Sequence, residues 1–237
     1  RRGAGFVRRD RLAEAVGLAI AALVLATLVP LSPTPRLPEL EYGLVVAIAG
    51  LGGAALTIAA SGAAGVTRAS LAERFRAIAL WAGCAAAIVI ALAAVALTAQ
   101  TMSLRNIVNA QVNTLPYLLL QPGAALVYFA GAALAGDERG LVAVLGWPAR
   151  LRAAAEAVTA LFLAAFGATL FLAGYAGPTL PGPLWVLLKT VLIAATLLAL
   201  RARFGQVTAE RRLRAAWQVL LPAALLNLAI TVVVLAR

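Results

Sequence analysis

Apolar residues along this chain come in long runs, and the polar ones gather between them. The runs lie near 13–32, 43–61, 77–98, 115–135, 153–174, 184–200 and 216–236. Roughly 20 consecutive apolar residues is the length that crosses a bilayer as a helix. No run alternates with period two, which argues against a barrel. The pattern predicts an all-α, polytopic membrane protein with about seven transmembrane helices, forming one membrane domain over 1–237. The second, third and fifth runs are rich in Ala and Gly, which suits close helix packing through small side chains.

The connections carry the punctuation. A basic arm over 1–12 precedes the first run, which lacks a clear signal-peptide cleavage site and reads as a mature helix. Pro30, Pro33 and Pro35 end that helix. The polar segment from Gln100 to Thr114 has room for a short helix. Pro116 and Pro122 interrupt the fourth run, with Gln121 beside the second, and predict a kink whose freed carbonyl finds another partner. Pro178, Pro181 and Pro183 punctuate the sixth connection, and Arg201 to Arg214 is the most charged segment.

Composition sharpens the class. The chain is 63% hydrophobic and 12% charged, against about half and a quarter in a soluble domain. A net charge of +11 could point to nucleic acid, but its distribution excludes that partner. With the N-terminus cytoplasmic, the arm, the 62–76 loop, the 136–152 loop and the 201–214 loop hold nearly all of the 20 basic residues. The exceptions are Arg36, Arg105, Lys189 and Arg237. This is the positive-inside pattern, and with seven spans it places the C-terminus outside a plasma (inner) membrane. Trp81, Trp185 and Trp217 each fall near the start of a run, as an interfacial aromatic belt does.

The chemistry is sparse. One Cys, Cys84, and no His exclude a disulfide within the chain, a Cys-cluster or zinc site and a His-ligated haem. No metal site is predicted, and a redox cofactor would have to sit in a partner. Of nine carboxylates, only Glu156 lies inside a run rather than at its margin. An ionisable group there is a functional candidate by default, a proton relay whose pKa burial would raise. The alternative is a structural pair with Arg152, four residues earlier. Lys189, near a span end, is expected to snorkel to the interface. Asn227 and Thr231 are expected to bond to neighbouring helices, and Asp137, Glu138 and Arg139 form a solvated turn.

The stretch from Trp185 to Val234 carries a resemblance. It contains Trp185-Val-Leu-Leu-Lys189-Thr, Leu200-Arg201-Ala-Arg-Phe204 and Glu210-Arg-Arg-Leu-Arg214-Ala-Ala-Trp217-Gln-Val-Leu-Leu-Pro222, followed by Asn227. Without a gap, this resembles the C-terminal end of the H-subunit family of bacterial NADH:quinone oxidoreductase, respiratory complex I. That family includes the homologous membrane subunits of formate hydrogenlyase and energy-converting hydrogenases. Weaker likenesses upstream involve Arg9-Asp10-Arg11-Leu12, Leu40-Glu-Tyr-Gly43-Leu44, Asn106-Ile107-Val108 with Ala110-Gln111, and Thr169-Leu-Phe-Leu-Ala-Gly174-Tyr.

The resemblance implies spans two to eight of an eight-span fold, with the first upstream of Arg1. It implies a subunit without catalytic residues or cofactor of its own inside a multi-subunit, proton-translocating oxidoreductase. Such a subunit anchors a cytoplasmic redox arm, whose iron–sulfur clusters and flavin or nickel–iron site belong to partners, and links it to proton-pumping membrane subunits. The family's sixth-span Glu aligns with Glu156, and the loop residues Arg201, Arg203, Glu210, Arg211, Arg212 and Arg214 become docking candidates.

Two departures qualify this. Where the family carries a Tyr-Glu pair, this chain has Cys84-Ala85. Of the acidic, Pro-Phe-Asp-containing loop that lines the family's quinone cavity, only Arg139 remains. A normal quinone site is therefore not expected. From the residues alone, a stand-alone multi-pass transporter is the competing class, supported by Gln121-Pro122 and Asn227.

Overall fold

The computed structural model describes residues 41–49, 68–135 and 147–236. No strand occurs among them. The helices in chain order are α1 (43–49), α2 (Arg68–Ala99), α3 (Leu104–Asn113), α4 (Tyr117–Leu120), α5 (Pro122–Leu134), α6 (Trp147–Phe171), α7 (Gly182–Gly205), α8 (Ala209–Ala215) and α9 (Leu221–Leu235). A π-helical turn, Ala216–Leu220, joins α8 to α9.

Three of these helical stretches are long and apolar enough to cross a membrane: Phe75–Ala99, Gly182–Gly205 and Ala209–Leu235. Pro122–Leu134 and Ala157–Phe171 are shorter apolar helices. The third, sixth and seventh predicted runs thus each form a continuous path. The first run lies outside the described residues, as does most of the second.

The fourth run is two helices. Pro122 has no N–H, so the bond that would continue α4 into α5 cannot form. The chain breaks at Gln121, whose φ and ψ are −132° and 60°. Pro222 has a related effect in the last span. Ahead of it the helix widens, and the Leu221 N–H reaches back to Ala216 O across a π turn.

Helices α2, α5, α6, α7 and α9 pack into one bundle, with α2 against α5 and α9, and α7 against α6. Glycines set the close approaches. A Cβ on Gly131 would stand 3.0 Å from Ile88 Cγ1, and one on Gly83 would stand 2.8 Å from Trp217 Nε1. Tyr128, Phe129 and Phe171 form an aromatic cluster between α5 and α6, and the Tyr128 hydroxyl donates to Leu163 O at 2.7 Å. Cys84 is a fully buried free thiol in the same core.

Two side-chain bonds show which helix ends meet. Trp217 Nε1 donates to Ala79 O at 3.0 Å, and Arg201 Nη2 donates to Ala132 O at 2.9 Å. The start of α2, the end of α5, the end of α7 and all of α8 therefore share one end of the bundle. The end of α2, α3, α4 and the Leu172–Pro181 turn lie at the other.

Candidate functional site

The first end of the bundle carries Arg76 of α2 and the basic 201–214 connection. Arg203, Glu210, Arg211 and Arg214 are exposed there, while Arg201 and Arg212 are half-buried. Arg76 Nη2 lies 3.9 Å from Glu210 Oε1, with side chains 59% and 63% exposed. An ion pair so open to solvent is worth about 0.2–1 kcal/mol at most. It therefore marks proximity of α2 and α8 rather than holding them together.

Arg201 differs from its neighbours in the loop. Its guanidinium turns inward to the last turn of α5, where helix carbonyls lack intrahelical donors and the dipole favours a cation. The structure thus gathers Arg203, Glu210, Arg211 and Arg214 on an accessible face and gives Arg201 a packing role. Arg139 lies outside the described residues. The backbone of Glu156 is in the third turn of α6, and its side chain lies outside what is described.

The opposite end is closed by polar side chains, and one of them, the half-buried Lys189, departs from its expectation. Its ammonium does not snorkel outward. Lys189 Nζ donates to Leu172 O at 2.6 Å, Gly174 O at 3.0 Å and Ala176 O at 2.6 Å. Ala173 and Gly174 both have positive φ, 55° and 40°. This left-handed turn after α6 aims successive carbonyls at one point, and the lysine fills it, with the Trp185 ring 5.4 Å from Nζ. The local balance favours capping because three acceptors are already in place, whereas snorkelling would leave them bare.

Gln111 is the second closing residue, and composition alone gave no reason to select it. It occupies the buried face of α3 with Leu104, Ile107 and Val108. A polar side chain in register with three apolar ones is the signal that would have found it. Its Nε2 donates to Ile107 O at 3.3 Å and Thr169 O at 3.2 Å. Its Oε1 accepts from Tyr117 N at 3.2 Å and Ala173 N at 2.9 Å. One amide thus joins α3, the start of α4 and the end of α6. Beside it, the Tyr175 hydroxyl donates to Asn109 Oδ1. Burial raises the Tyr175 pKa from its ordinary value, more than the nearby Arg105 guanidinium lowers it, so the phenol keeps its proton at neutral pH.

Gln121, at the helix break, is 8% exposed. Its Nε2 donates to Thr98 Oγ1 and to Thr231 Oγ1, the latter at 3.2 Å. Thr98, Gln121 and Thr231 therefore tie α2, the break and α9 together, as expected for Thr231. These contacts fall within the last turns of α2, near the bundle end and away from its middle. No group of three or more metal-binding side chains occurs among the described residues.

Known proteins match this chain along most of its length. A family model described as NADH dehydrogenase matches residues 11–139 and 146–232. The NADH-quinone oxidoreductase H subunit 1 of Rhodopseudomonas palustris (strain BisA53) is 33% identical over 239 residues, covering 94% of this chain and 75% of that protein. The H subunit 2 of the enzyme of the same name in Cereibacter sphaeroides (strain ATCC 17023) is 40% identical over 149 residues, 57% of this chain and 47% of that protein. The corresponding H subunit of a Geobacillus species (strain WCH70) is 29% identical over 246 residues, 94% of this chain and 72% of that protein. The match thus takes in about half the length of the Cereibacter relative and about three quarters of the other two.

Proposed function

The chain belongs to the NADH dehydrogenase family, and on that premise we propose that it is the H-type membrane component of a complex I-type NADH:quinone oxidoreductase. In this reading it crosses the membrane seven times, N-terminus inside and C-terminus outside. It anchors a cytoplasmic iron–sulfur arm and links that arm to proton-translocating membrane subunits. The observation that carries the reading is the family match along both halves of the chain. The exposed face of Arg203, Glu210, Arg211 and Arg214 supports the anchoring role, since it stands at the end where the positive-inside pattern puts the cytoplasm.

The transporter alternative weakens on geometry. It needs polar residues converging near the bilayer midplane. Gln121 and Thr231 instead meet Thr98, one residue from the end of the Phe75–Ala99 span.

Affinity purification of the tagged chain, with mass spectrometry of what comes with it, tests the reading. Iron–sulfur and flavin subunits are expected to co-purify. Nickel–iron hydrogenase subunits instead would move the chain to the hydrogenase branch, and a monomer without redox partners would reject both. In the same preparation, a photoreactive quinone analogue is expected to leave this chain unlabelled, because the cavity loop is shortened around Arg139. Labelling there would overturn the degenerate-loop reading.

For Glu156 we favour a scaffold role, since the carboxylate expected at Cys84-Ala85 is missing and a continuous acidic path is hard to draw. Glu156→Gln is expected to leave both assembly and proton-to-electron stoichiometry unchanged. A drop in proton pumping by an assembled complex would reinstate Glu156 as a relay.

A further inference from the structure

Three guanidiniums around the turn from α7 to α8 have no partner among the described residues. Arg76 pairs with Glu210, and Arg201 turns inward to Ala132 O. Arg203, Arg211 and Arg214 stay exposed. Arg203 lies in the last turn of α7. Arg211 and Arg214 lie three residues apart on α8 and so share a helix face. The chain from Gly205 to Ala209 joins the two helices and spans at most about 14 Å.

Height along the spans decides what these side chains can reach. The stretch from Ala216 to Leu235 carries no charge. As a helix it is about 30 Å long, the thickness of a bilayer's hydrocarbon core. Arg214 and Arg211 then stand about 3 and 8 Å beyond the core edge, within a headgroup layer about 5–8 Å deep on each side. On α7, Arg203 is about 32 Å from Gly182 and reaches the same layer.

Below the guanidiniums the surface is apolar. Arg203, Ala199, Thr196, Leu192 and Leu188 recur at helical spacing along one face of α7, and all are exposed. The Thr196 hydroxyl donates to Leu192 O of its own helix at 2.9 Å, so the stripe presents no free donor. On α9, Val219, Leu225 and Leu226 are exposed at matching depths. Both helices pack on α5, which brings the two apolar faces to either side of it.

A fitting molecule has an anionic head level with the arginines and apolar chains that reach down the spans. We infer that this corner of the bundle holds an anionic phospholipid, its phosphodiester bonded by Arg203, Arg211 and Arg214 and its acyl chains laid on α7 and α9. Guanidinium forks match phosphate oxygens bidentately. A zwitterionic lipid carries its own cation into the arginine cluster, so a net negative head is preferred. An acidic protein surface would meet the guanidiniums but leave the apolar stripes bare. A redox arm lands on α8 along the helix axes, whereas the lipid enters from the side, so one face serves both. The inference needs the membrane placement of α7 and α9, and not the identity of the redox partners.

A photoreactive phenylalanine analogue in place of Ala199, in the full chain within its purified complex, reads the site locally. The same analogue in place of Val89, an exposed position on α2, reports the surrounding bilayer. In nanodiscs of dioleoylphosphatidylcholine with dioleoylphosphatidylglycerol as the minority lipid, mass spectrometry identifies what is crosslinked. Position 199 is expected to capture the glycerol lipid about 10-fold above its share at position 89. Arg203→Gln/Arg211→Gln/Arg214→Gln is expected to abolish that enrichment. Equal shares at 199 and 89 in the parent complex would sink the proposal, whether or not the triple variant assembles. A crosslink from 199 to another protein subunit would also reject it and assign the face to that partner. Excess inorganic phosphate is expected to leave the enrichment in place; its loss would mean that the arginines take a free anion and the acyl chains add nothing.

Discussion

Gln111→Leu is expected to destabilise the bundle by about 3 kcal/mol and to lower the yield of assembled complex. The substitution keeps side-chain bulk and removes only the amide, so packing on the buried face of α3 is preserved. What it strands is specific. The Tyr117 and Ala173 amides lose their acceptor, and Thr169 O loses its donor. Each buried polar group left unsatisfied costs about 1–3 kcal/mol; with these groups stranded together the total is set at the low end of the combined range, because water can enter at a bundle end. Thermal unfolding of the purified assembly measures it. A midpoint within a degree of the parent would mean that α3 does not hold α6 in this way.

Lys189→Met is expected to have an effect of similar size, about 2–4 kcal/mol, from the loss of charge-assisted bonds to three carbonyls. Those carbonyls converge on the one ammonium, and without it they face one another across the Ala173–Gly174 turn. Ala173 is already in a left-handed conformation that costs a residue with a Cβ roughly 1 kcal/mol or more. Limited proteolysis in detergent is the sharpest readout, because the Leu172–Pro181 turn should become a cleavage site before the rest of the bundle opens. A turn that stays protected in the variant would show that the lysine adds nothing to its hold. If Lys189→Arg restores protection, the role belongs to a cation aimed at carbonyls rather than to a particular side chain.

Much of the fold was legible because bilayer physics writes it in runs. The stretches 77–98, 184–200 and 216–236 read as spans, and the helices α2, α7 and α8–α9 follow them closely. Pro116 and Pro122 announced trouble in the fourth run, and the outcome was a break at Gln121 rather than a bend. Hydropathy cannot distinguish those two, since both keep the same residues in the same slab. Lys189 misled for a different reason. Position near a span end favours snorkelling, whereas the carbonyls that capture the ammonium belong to a turn formed by residues 172–176. Only tertiary structure brings that turn to α7. Arg201 likewise read as one cation among several in a basic loop, and its inward contact with Ala132 depends on where α5 ends. Arg203, Arg211 and Arg214, named as docking candidates with it, are exposed.

The contact of Trp217 with α2 also bears on how the chain is made. Its indole bonds to Ala79, 138 positions earlier, and the next joint, Gln121 with Thr231, spans 110. Translation delivers α2 to the membrane long before either partner exists. Until the last helix is inserted, the notch at Gly83 faces lipid and one hydrogen of the Gln121 amide has no threonine to meet. Closure of the bundle is therefore a post-insertion event that waits for the final span, and the nascent chain crosses that interval with its central helix half covered.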